Sequence, residues 1–327
     1  MKVLVAIYSD FRSWCIPEHE VERLRNEFPE HTFVRTDNDA DTLAAITDAE
    51  VAFSSRITPA HFGAAWRLRW IHSPAAGVGA MLFPEMVTSP IVMTNSRGNS
   101  SNTIAEHVIA VTLALLRDLP LAMRRQAERE WAQNEFDAGA SIRTLRDARV
   151  LVVGVGSIGA ETARLAAAFG ADVVGIRRRP DLAAVPGVSS TRPPEALLEE
   201  LPHADVVVLA APQTADTWHM IGDRELAAMK ADAVLVNVSR GKLIDEAALL
   251  RALQERRLRG AALDVFAHEP LDKTSPLWSL PNVLVTPHVS GFHRGYWPEA
   301  TRLFAANLRR FLAGEPLENV VDKHAGY

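Results

Sequence analysis

A glycine-rich segment, Gly154-Val155-Gly156-Ser157-Ile158-Gly159, constrains the fold of this chain most strongly. It follows the apolar run RVLVV, which predicts a β-strand, and precedes AETARLAAAFG, which predicts a helix. Between a strand and a helix, the first glycine permits a tight turn, the second lets the backbone approach a pyrophosphate, and the third allows close helix packing. The helix N-terminus adds N–H groups that bind an anion. We therefore expect a dinucleotide-binding βαβ unit, with cofactor contacts at Gly154, Gly156, Ser157, Ile158 and Gly159.

Three consecutive arginines stand where an NAD site usually carries an acidic residue, about 20 residues beyond the glycines. Arg177, Arg178 and Arg179 directly follow the next strand run, DVVGI. Guanidinium groups bind a 2′-phosphate through charge-assisted hydrogen bonds, whereas a carboxylate would repel it. The arginines favour NADP(H) over NAD(H) as the cofactor, and a solvated basic loop is the alternative interpretation.

The order of apolar runs predicts two α/β domains. Residues 149–286 carry six runs separated by segments long enough for crossover helices, which is the pattern of a parallel, doubly wound sheet. Residues 1–97 carry five shorter runs that alternate with helix-like segments. In chain order the runs are KVLVAI, HTFVR, EVAFSS, LRWIHS, IVMTN, RVLVV, DVVGI, DVVVLA, AVLVNV, GAALDV and NVLVTP.

Two helices are predicted from signals at their ends. A long apolar helix follows the first five strand runs, and Thr103 with Glu106 three residues later has the arrangement of a capping box at its start. Such a helix is typical of a domain junction or a subunit interface. A last helix is predicted near the C-terminus, where Pro298 fits a first helical turn and Gly314 a C-cap.

Composition limits the class of partner. The chain has 327 residues, 48% of them hydrophobic, a length that favours two globular domains. Its formal charge of -5 gives no attraction to nucleic acid or anionic membranes, and the apolar stretch at residues 104–116 falls short of the roughly 20 residues that cross a bilayer. Cys15 is the only cysteine, which excludes an internal disulfide and a cysteine-based zinc cluster, and no metal site is predicted. The N-terminus lacks a signal-peptide pattern, so we expect a cytoplasmic protein with a small-molecule ligand.

Three ionisable residues each follow a predicted strand of the second domain. Arg240 follows the fourth run, Glu269 the fifth and His288 the sixth. Because ligands bind beyond the carboxyl ends of parallel strands, the three side chains are expected to meet in one cleft. Reduction of a 2-keto acid needs a cation for the carboxylate and carbonyl, and an acid for the emerging alkoxide. Arg240 can supply the cation and His288 the acid, with Glu269 holding the imidazole in its protonated form.

These segments resemble those of the D-isomer-specific 2-hydroxyacid dehydrogenase family. GVGSIG, NVSRGKLIDEAALLRAL, GAALDVFAHEPL and PNVLVTPHVSG occur in the family's order and at family-like spacing. The resemblance extends to SPAAGVG, SSNTIAEHVIAVTLALLR, APQTADTW and GEPLENVVD, and therefore covers nearly the whole chain.

The resemblance implies an organisation and a set of roles. The fold would be α/β, with a Rossmann cofactor domain at residues 99–288 and a smaller flavodoxin-like substrate domain at residues 1–98 and 289–327. A homodimer would join through the cofactor domains. Arg240 would bind substrate, and Glu269 and His288 would form the acid–base pair. Further implied contacts are Pro212, Thr217, Val238, Ser239, Asp264 and His288 for the cofactor, and the backbone of Ala76, Gly77, Val78 and Gly79 for the substrate carboxylate. By residue type alone, Asp264 also fits a helix N-cap, and the segment around Gly77 an ordinary turn.

The expected substrates are small 2-keto acids such as glyoxylate or hydroxypyruvate, reduced to the D-2-hydroxy acid. A redox-sensing binding protein, like the corepressors that share this fold, is the alternative function. An L-specific lactate or malate dehydrogenase also pairs Arg with His, but carries its dinucleotide loop near the N-terminus, whereas here the loop begins at Gly154. Aromatic residues that could border the pocket, or else belong to the core or an interface, are Trp131, Phe292, Tyr296 and Trp297.

Overall fold

A computed structural model describes residues 1–138 and 142–326 of the chain. The chain forms two compact units: the smaller contains Met1–Asn99 and His293–Tyr327, and the larger contains Ser100–Phe292. The sequence predicts boundaries after residues 98 and 288, so the second boundary lies a few residues later than expected. The reason is local, because the backbone N–H groups of Val289 and Ser290 donate to Asp264 in the larger unit.

The smaller unit is built on five parallel strands. They are β1 (Lys2–Ala6), β2 (Thr32–Arg35), β3 (Val51–Ser54), β4 (Trp70–Ser73) and β5 (Val92–Asn95). Their order in the sheet is β2-β1-β3-β4-β5, the flavodoxin-like arrangement. Alternate residues of β1 enter separate apolar clusters, Val3 and Val5 on one face and Leu4 and Ala6 on the other. Both faces of this sheet are therefore covered, as is typical of parallel sheets in α/β proteins.

The helices of the smaller unit come from both ends of the chain. They are α1 (Glu18–Glu27), α2 (Asp39–Ile46), α3 (Pro59–Ala64), α4 (Pro84–Thr88) and, from the C-terminal segment, α12 (Tyr296–Ala313). Phe304 of α12 stacks on Phe53 and Trp70 of the sheet, with ring centroids 4.4 Å and 5.3 Å away. Gly314 ends α12 in the left-handed conformation, φ 71°, which confirms the predicted C-cap.

The larger unit holds seven parallel strands. They are β6 (Arg149–Val153), β7 (Asp172–Ile176), β8 (Ser190–Arg192), β9 (Val206–Leu209), β10 (Val234–Asn237), β11 (Gly260–Leu263) and β12 (Val283–Val285). Their order is β12-β11-β10-β9-β6-β7-β8, a doubly wound Rossmann sheet. β8 has no counterpart among the predicted strand runs, because this three-residue edge strand is polar and partly exposed.

The larger unit also contains seven α-helices in its described part. They are α5 (Ser101–Leu116), α6 (Leu119–Glu128), α7 (Gln133–Ala138), α8 (Ser157–Ala168), α9 (Leu197–Glu200), α10 (Asp223–Ala228) and α11 (Glu246–Gln254). The capping box predicted at Thr103 is wrong: α5 begins at Ser101, so Thr103 lies inside its first turn, and Ser100 makes no side-chain cap.

The two sheets confirm the predicted α/β class, a Rossmann unit with a smaller flavodoxin-like unit. Within residues 1–138 and 142–326, no helix combines the length and apolar character needed to cross a membrane.

Candidate active site

Each glycine of the G-x-G-x-x-G segment has its own physical cause. Gly154 has φ +97°, and a Cβ there would lie 2.5 Å from the backbone N of Ala211. A Cβ on Gly159 would lie 2.0 Å from the carbonyl O of Gly154, so this glycine lets α8 pack against the turn. Around Gly156 there is open space, since a Cβ would meet nothing within 4 Å. The loop is therefore closely packed against protein at Gly154 and Gly159. It is open at Gly156, where the protein backbone is expected to approach the pyrophosphate of the cofactor.

The glycine loop lies at the topological switch point of the sheet. β6 and β9 are neighbours, but the chain leaves β6 toward β7 on one side and later returns to β9 on the other. The N-terminus of α8 at this point has no side-chain cap and no acidic residue in its first turn. Uncapped N–H groups and the positive end of the helix dipole bind anions. The residues present thus fit a dinucleotide pyrophosphate.

Several other predicted cofactor residues lie at the carboxyl ends of β9 and β10. The Thr217 hydroxyl donates to the carbonyl O of Pro212 at 2.7 Å. The Ser239 hydroxyl donates to the carbonyl O of Ala211, and Val238 is buried beside it. These contacts hold the two strand ends together next to Gly154, whose turn packs on Ala211.

The three arginines after β7 differ from one another. The Arg177 guanidinium donates from one nitrogen to the carbonyl groups of Pro180, Leu182 and Ala183, which closes the loop that follows. Arg178 and Arg179 are exposed. Arg177 thus shapes the loop that carries the other two, and a contact of these arginines with a 2′-phosphate stays a prediction.

Arg240 lies just beyond β10, on a turn that is fixed from inside. The buried Asn237 amide donates to the carbonyl O of Arg240 at 2.9 Å and accepts the Ser239 N–H at 3.1 Å. At Gly241, a Cβ would lie 1.8 Å from the backbone C of Phe266, so only glycine lets the Arg240 turn pack against the segment after β11. Burial lowers the pKa of Arg240, and the nearby Glu269 carboxylate opposes part of this effect.

Glu269 and His288 form a direct pair. His288 Nδ1 lies 2.7 Å from Glu269 Oε2, and both side chains are about one-third exposed. The other carboxylate oxygen accepts the N–H of Phe266 at 3.0 Å. Burial raises the pKa of Glu269, but the bonds from His288 and Phe266 outweigh it and lower the pKa overall. Glu269 is therefore held as a carboxylate next to the His288 imidazole.

Asp264 holds the loop on which His288 lies. This buried carboxylate accepts the Thr286 hydroxyl at 2.6 Å, the Val289 N–H at 2.9 Å and the Ser290 N–H at 3.0 Å. The loop needs such anchoring because His288 has φ 52°, in the left-handed region. Asp264 caps no helix in this structure, so the N-cap alternative is wrong.

Arg240, Glu269 and His288, which the sequence predicts to be catalytic, follow β10, β11 and β12, which are adjacent in the sheet. We call these three predicted residues the catalytic cluster. Asn237, Gly241 and Thr286, which fix the geometry of the cluster, were not predicted from the sequence. The available signal for Asn237 was an amide inside the apolar run AVLVNV, since a buried amide must find hydrogen-bond partners.

The predicted carboxylate-binding segment belongs to the smaller unit, directly after β4. Ala76, Gly77 and Gly79 are exposed, whereas Val78 is buried. Of the aromatic residues proposed for the pocket, Tyr296 and Trp297 lie at the start of α12 in the smaller unit. Trp131 is 91% exposed.

Comparisons with known proteins identify the family. The family model for the D-isomer specific 2-hydroxyacid dehydrogenase, NAD binding domain, matches residues 109–290. A glyoxylate reductase from Korarchaeum cryptofilum is 33% identical, over 94% of this chain and 91% of its own length.

Solved structures match along the whole chain. A D-isomer specific 2-hydroxyacid dehydrogenase from Xanthobacter autotrophicus, in complex with NADPH and MES, is 31% identical with a TM-score of 0.84, and the match covers 100% of this chain and 99% of that one. An NADPH-dependent glyoxylate/hydroxypyruvate reductase from Sinorhizobium meliloti, in complex with NADP and sulfate, is 28% identical with a TM-score of 0.85 and the same coverage. The chain therefore belongs to the D-isomer specific 2-hydroxyacid dehydrogenase family, and is an NAD(P)H-dependent enzyme of that class.

Proposed function

We propose that this protein reduces a small 2-keto acid of the glyoxylate or hydroxypyruvate type to the D-2-hydroxy acid, with NADPH as the preferred cofactor. The observation that carries the proposal is the 2.7 Å contact between His288 Nδ1 and Glu269 Oε2 at the carboxyl ends of adjacent strands. A general acid held by a carboxylate is what protonation of a ketone oxygen requires.

The geometry of the Glu269–His288 pair indicates which ring nitrogen of His288 carries the transferred proton. Glu269 accepts the Nδ1–H of His288, which fixes the tautomer and leaves Nε2 to carry the proton that is transferred. As the carbonyl carbon gains a hydride and its oxygen gains negative charge, Nε2–H donates its proton to that oxygen. The reduced nicotinamide supplies the hydride when it is bound. The Phe266 N–H keeps the carboxylate oriented throughout.

Arg240 is the cation of the cluster. One of its guanidinium nitrogens donates to the carbonyl O of Ser239 at 2.6 Å, which fixes one edge of the group. Its remaining N–H groups are the donors proposed for the substrate, where they bind the carboxylate and polarise the ketone. Because Arg240 is partly buried, its charge is less screened than that of a surface arginine.

The cofactor preference rests on charge. The loop after β7 carries Arg178 and Arg179 at its surface and has arginine where an acidic residue would bind a ribose hydroxyl. Similar proteins of known structure are described as NADPH-dependent or as bound to NADPH. The 2′-phosphate of NADPH would be held there by charge-assisted hydrogen bonds.

A homodimer joined through the larger unit is also part of the proposal. Its support is a set of exposed apolar side chains on and after α6: Leu119 is 47% exposed, Met123 67% and Trp131 91%. Such side chains are typical of a protein interface. Light scattering should give twice the mass of one chain, and a Met123→Glu variant should shift the mass toward that of the monomer.

The test of the function is a matrix of activities. Purified protein is mixed with NADPH or NADH and a panel of 2-keto acids, and cofactor oxidation is followed by absorbance. We expect the highest kcat/KM for NADPH with glyoxylate or hydroxypyruvate. Tight NADPH binding with no turnover of any 2-keto acid would contradict the proposal and favour a redox-sensing binding protein.

A further inference from the structure

Four consecutive carbonyl groups, at residues 73 to 76, accept hydrogen bonds from elsewhere in the smaller unit. The donors come from the end of β5 and the start of α12. The bonds run from Ser96 Oγ to Ser73 O (3.1 Å), from Tyr296 Oη to Pro74 O (2.9 Å), from Ser96 N to Ala75 O (3.4 Å) and from Asn95 Nδ2 to Ala76 O (2.7 Å). We call Asn95, Ser96 and Tyr296 the carbonyl clamp.

The clamp determines where the neighbouring N–H groups point. In a planar trans peptide, the C=O of one residue and the N–H of the next point in opposite directions. Tying back the carbonyls of Ala75 and Ala76 therefore turns the N–H groups of Ala76 and Gly77 away from the clamp. Within residues 1–138 and 142–326, these N–H groups find no protein acceptor, and both residues are exposed.

We propose that the carbonyl clamp positions the N–H groups of Ala76 and Gly77 for the carboxylate of the substrate. Ser96 and Asn95 hold the two adjoining carbonyls, and the Tyr296 hydroxyl holds the start of the same loop at Pro74. The inference rests on the proposed function, because the carboxylate is that of the 2-keto acid. Tyr296 is a positioning residue, since its hydroxyl acts through the Pro74 carbonyl. The carboxylate is bound before and during hydride transfer, so the clamp affects KM more than kcat.

A buried chain of hydrogen bonds fixes the direction of the Ser96 hydroxyl. Trp70 Nε1 donates to Thr94 Oγ1 at 2.8 Å, Thr94 Oγ1 lies 2.7 Å from His72 Nδ1, and His72 Nε2 lies 3.2 Å from Ser96 Oγ. Burial lowers the pKa of His72 to about 3, so its ring is neutral and carries a single N–H. Because Ser96 gives its proton to the Ser73 carbonyl, it accepts from Nε2–H, and Nδ1 accepts from Thr94. Every donor in this chain therefore points toward the clamped loop.

The Tyr296 hydroxyl is a constant donor. Burial raises the pKa of Tyr296 to about 12, so the phenol keeps its proton across the neutral range. The bond to Pro74 is thus unaffected by pH in the range where the catalytic cluster works. The clamp is neutral throughout, which leaves the substrate carboxylate free of competing negative charge from its members.

The first experiment compares two tyrosines of the smaller unit that each donate one hydrogen bond. Tyr296→Phe deletes the hydroxyl that binds Pro74, and Tyr8→Phe deletes a hydroxyl that binds Asp39 at 2.6 Å. Because Tyr296→Phe loses one neutral hydrogen bond, we expect its KM for glyoxylate or hydroxypyruvate to be about five-fold higher than that of the wild type. Its kcat should change by less than about two-fold. Tyr8→Phe should keep the wild-type KM.

A second variant and a second readout keep the proposal independent of turnover. Asn95→Asp replaces the donor to Ala76 with a carboxylate oxygen, and we expect a larger rise in KM than in Tyr296→Phe. Amide hydrogen exchange of Ser96, whose N–H bonds the loop at Ala75, measures the attachment of the loop directly. Its exchange should be faster in Tyr296→Phe and unchanged in Tyr8→Phe.

The outcomes separate the two proposals. A wild-type protein that reduces no 2-keto acid contradicts the proposed function, whereas faster Ser96 exchange in Tyr296→Phe still establishes that the hydroxyl holds the loop. An active wild type whose Tyr296→Phe variant keeps its KM overturns the positioning role, whatever the exchange shows. A Tyr296→Phe variant with a lower kcat and an unchanged KM also overturns the positioning role. That result would mean that the substitution only reduces the fraction of folded, active enzyme.

Discussion

The carboxyl edges of the two sheets prepare their functional groups in opposite ways. In the larger unit, ionisable side chains are the proposed catalytic groups, and backbone atoms such as the Phe266 N–H and the Ser239 carbonyl hold them. In the smaller unit, backbone N–H groups at residues 76 and 77 are the candidate donors, and the neutral side chains of the carbonyl clamp hold them.

This difference predicts two kinds of sensitivity. Loss of a charge at the edge of the larger unit changes the chemical step and its pH dependence, because a proton moves there. Loss of one neutral bond at the other edge changes an orientation, which costs a few-fold in binding. The variants below test whether this division holds.

Replacement of His288 should have the largest effect. His288→Asn keeps a side chain that tolerates the left-handed backbone at φ 52°, but removes the proton donor. We expect kcat to fall about 1,000-fold, whereas NADPH binding, measured by fluorescence titration, should weaken far less. His219→Asn is the control, since this exposed histidine also has a positive φ, 50°. Equal losses in both variants would point to a backbone effect and would break the comparison.

Glu269→Gln should cost about 100-fold in kcat at neutral pH, because the amide still accepts from His288 but carries no charge. The pKa of Glu269 lies below its ordinary value, so the wild type keeps the carboxylate as pH falls through the usual range of glutamate titration. The advantage of the wild type over the variant should therefore persist as the pH falls through about 4.5, where an ordinary glutamate titrates, and shrink only at lower pH. Rate profiles of the two proteins measure this, and a gap that closes above about pH 4.5 would contradict the ion pair.

In the smaller unit, the buried His72 should make the free energy of unfolding depend on pH. His72 is neutral when folded, with a pKa of about 3, and ordinary when unfolded, so the unfolded state binds more protons between these values. Stability therefore decreases as pH falls, by about 2 kcal/mol between pH 7 and pH 5 from this residue alone. His72→Gln can accept at one end and donate at the other but cannot titrate. Denaturant unfolding at several pH values should show that the free energy of unfolding of the variant depends less on pH than that of the wild type. An equal pH dependence in both proteins would contradict a neutral His72 in the folded state.

The arginine loop should give the smallest change. Arg179→Ser removes an exposed charge, and we expect the KM for NADPH to rise about ten-fold with the KM for NADH unchanged. Arg177→Ala removes the bonds that close the loop at residues 180–183, so it should weaken the binding of both cofactors. A selective loss for NADPH in Arg177→Ala alone would assign the 2′-phosphate to that residue.

Strand ends were predictable because apolar runs and the motifs that follow them are local in sequence. The catalytic cluster was named from three residues that each follow a run, and the sheet order then places those runs side by side. The G-x-G-x-x-G roles were predictable for the same reason. The edge strand β8 was not, because its residues Ser190–Arg192 carry no apolar pattern.

Hydrogen bonds from side chains to backbone carbonyls could not be predicted, because they leave no pattern in the sequence. That Arg177 also closes its own loop was not predictable, because the acceptors are carbonyl groups that any residue provides. Tyr296 lies more than 200 positions from the Pro74 carbonyl that it holds. The capping box predicted at Thr103 was wrong because a Thr and a Glu three residues apart also occur inside helices. The helix α5 begins two residues earlier, at Ser101.

Gly241 has a consequence for anyone who seeks a changed substrate range in this enzyme. The position adjoins Arg240 and would be an obvious member of a saturation library, yet the first atom of any side chain there would occupy the place of the Phe266 backbone. Nearly all nineteen replacements would be discarded by the fold before the substrate could select among them. Diversity placed at this codon is lost, and a library of the same size would sample more function if it left Gly241 unchanged.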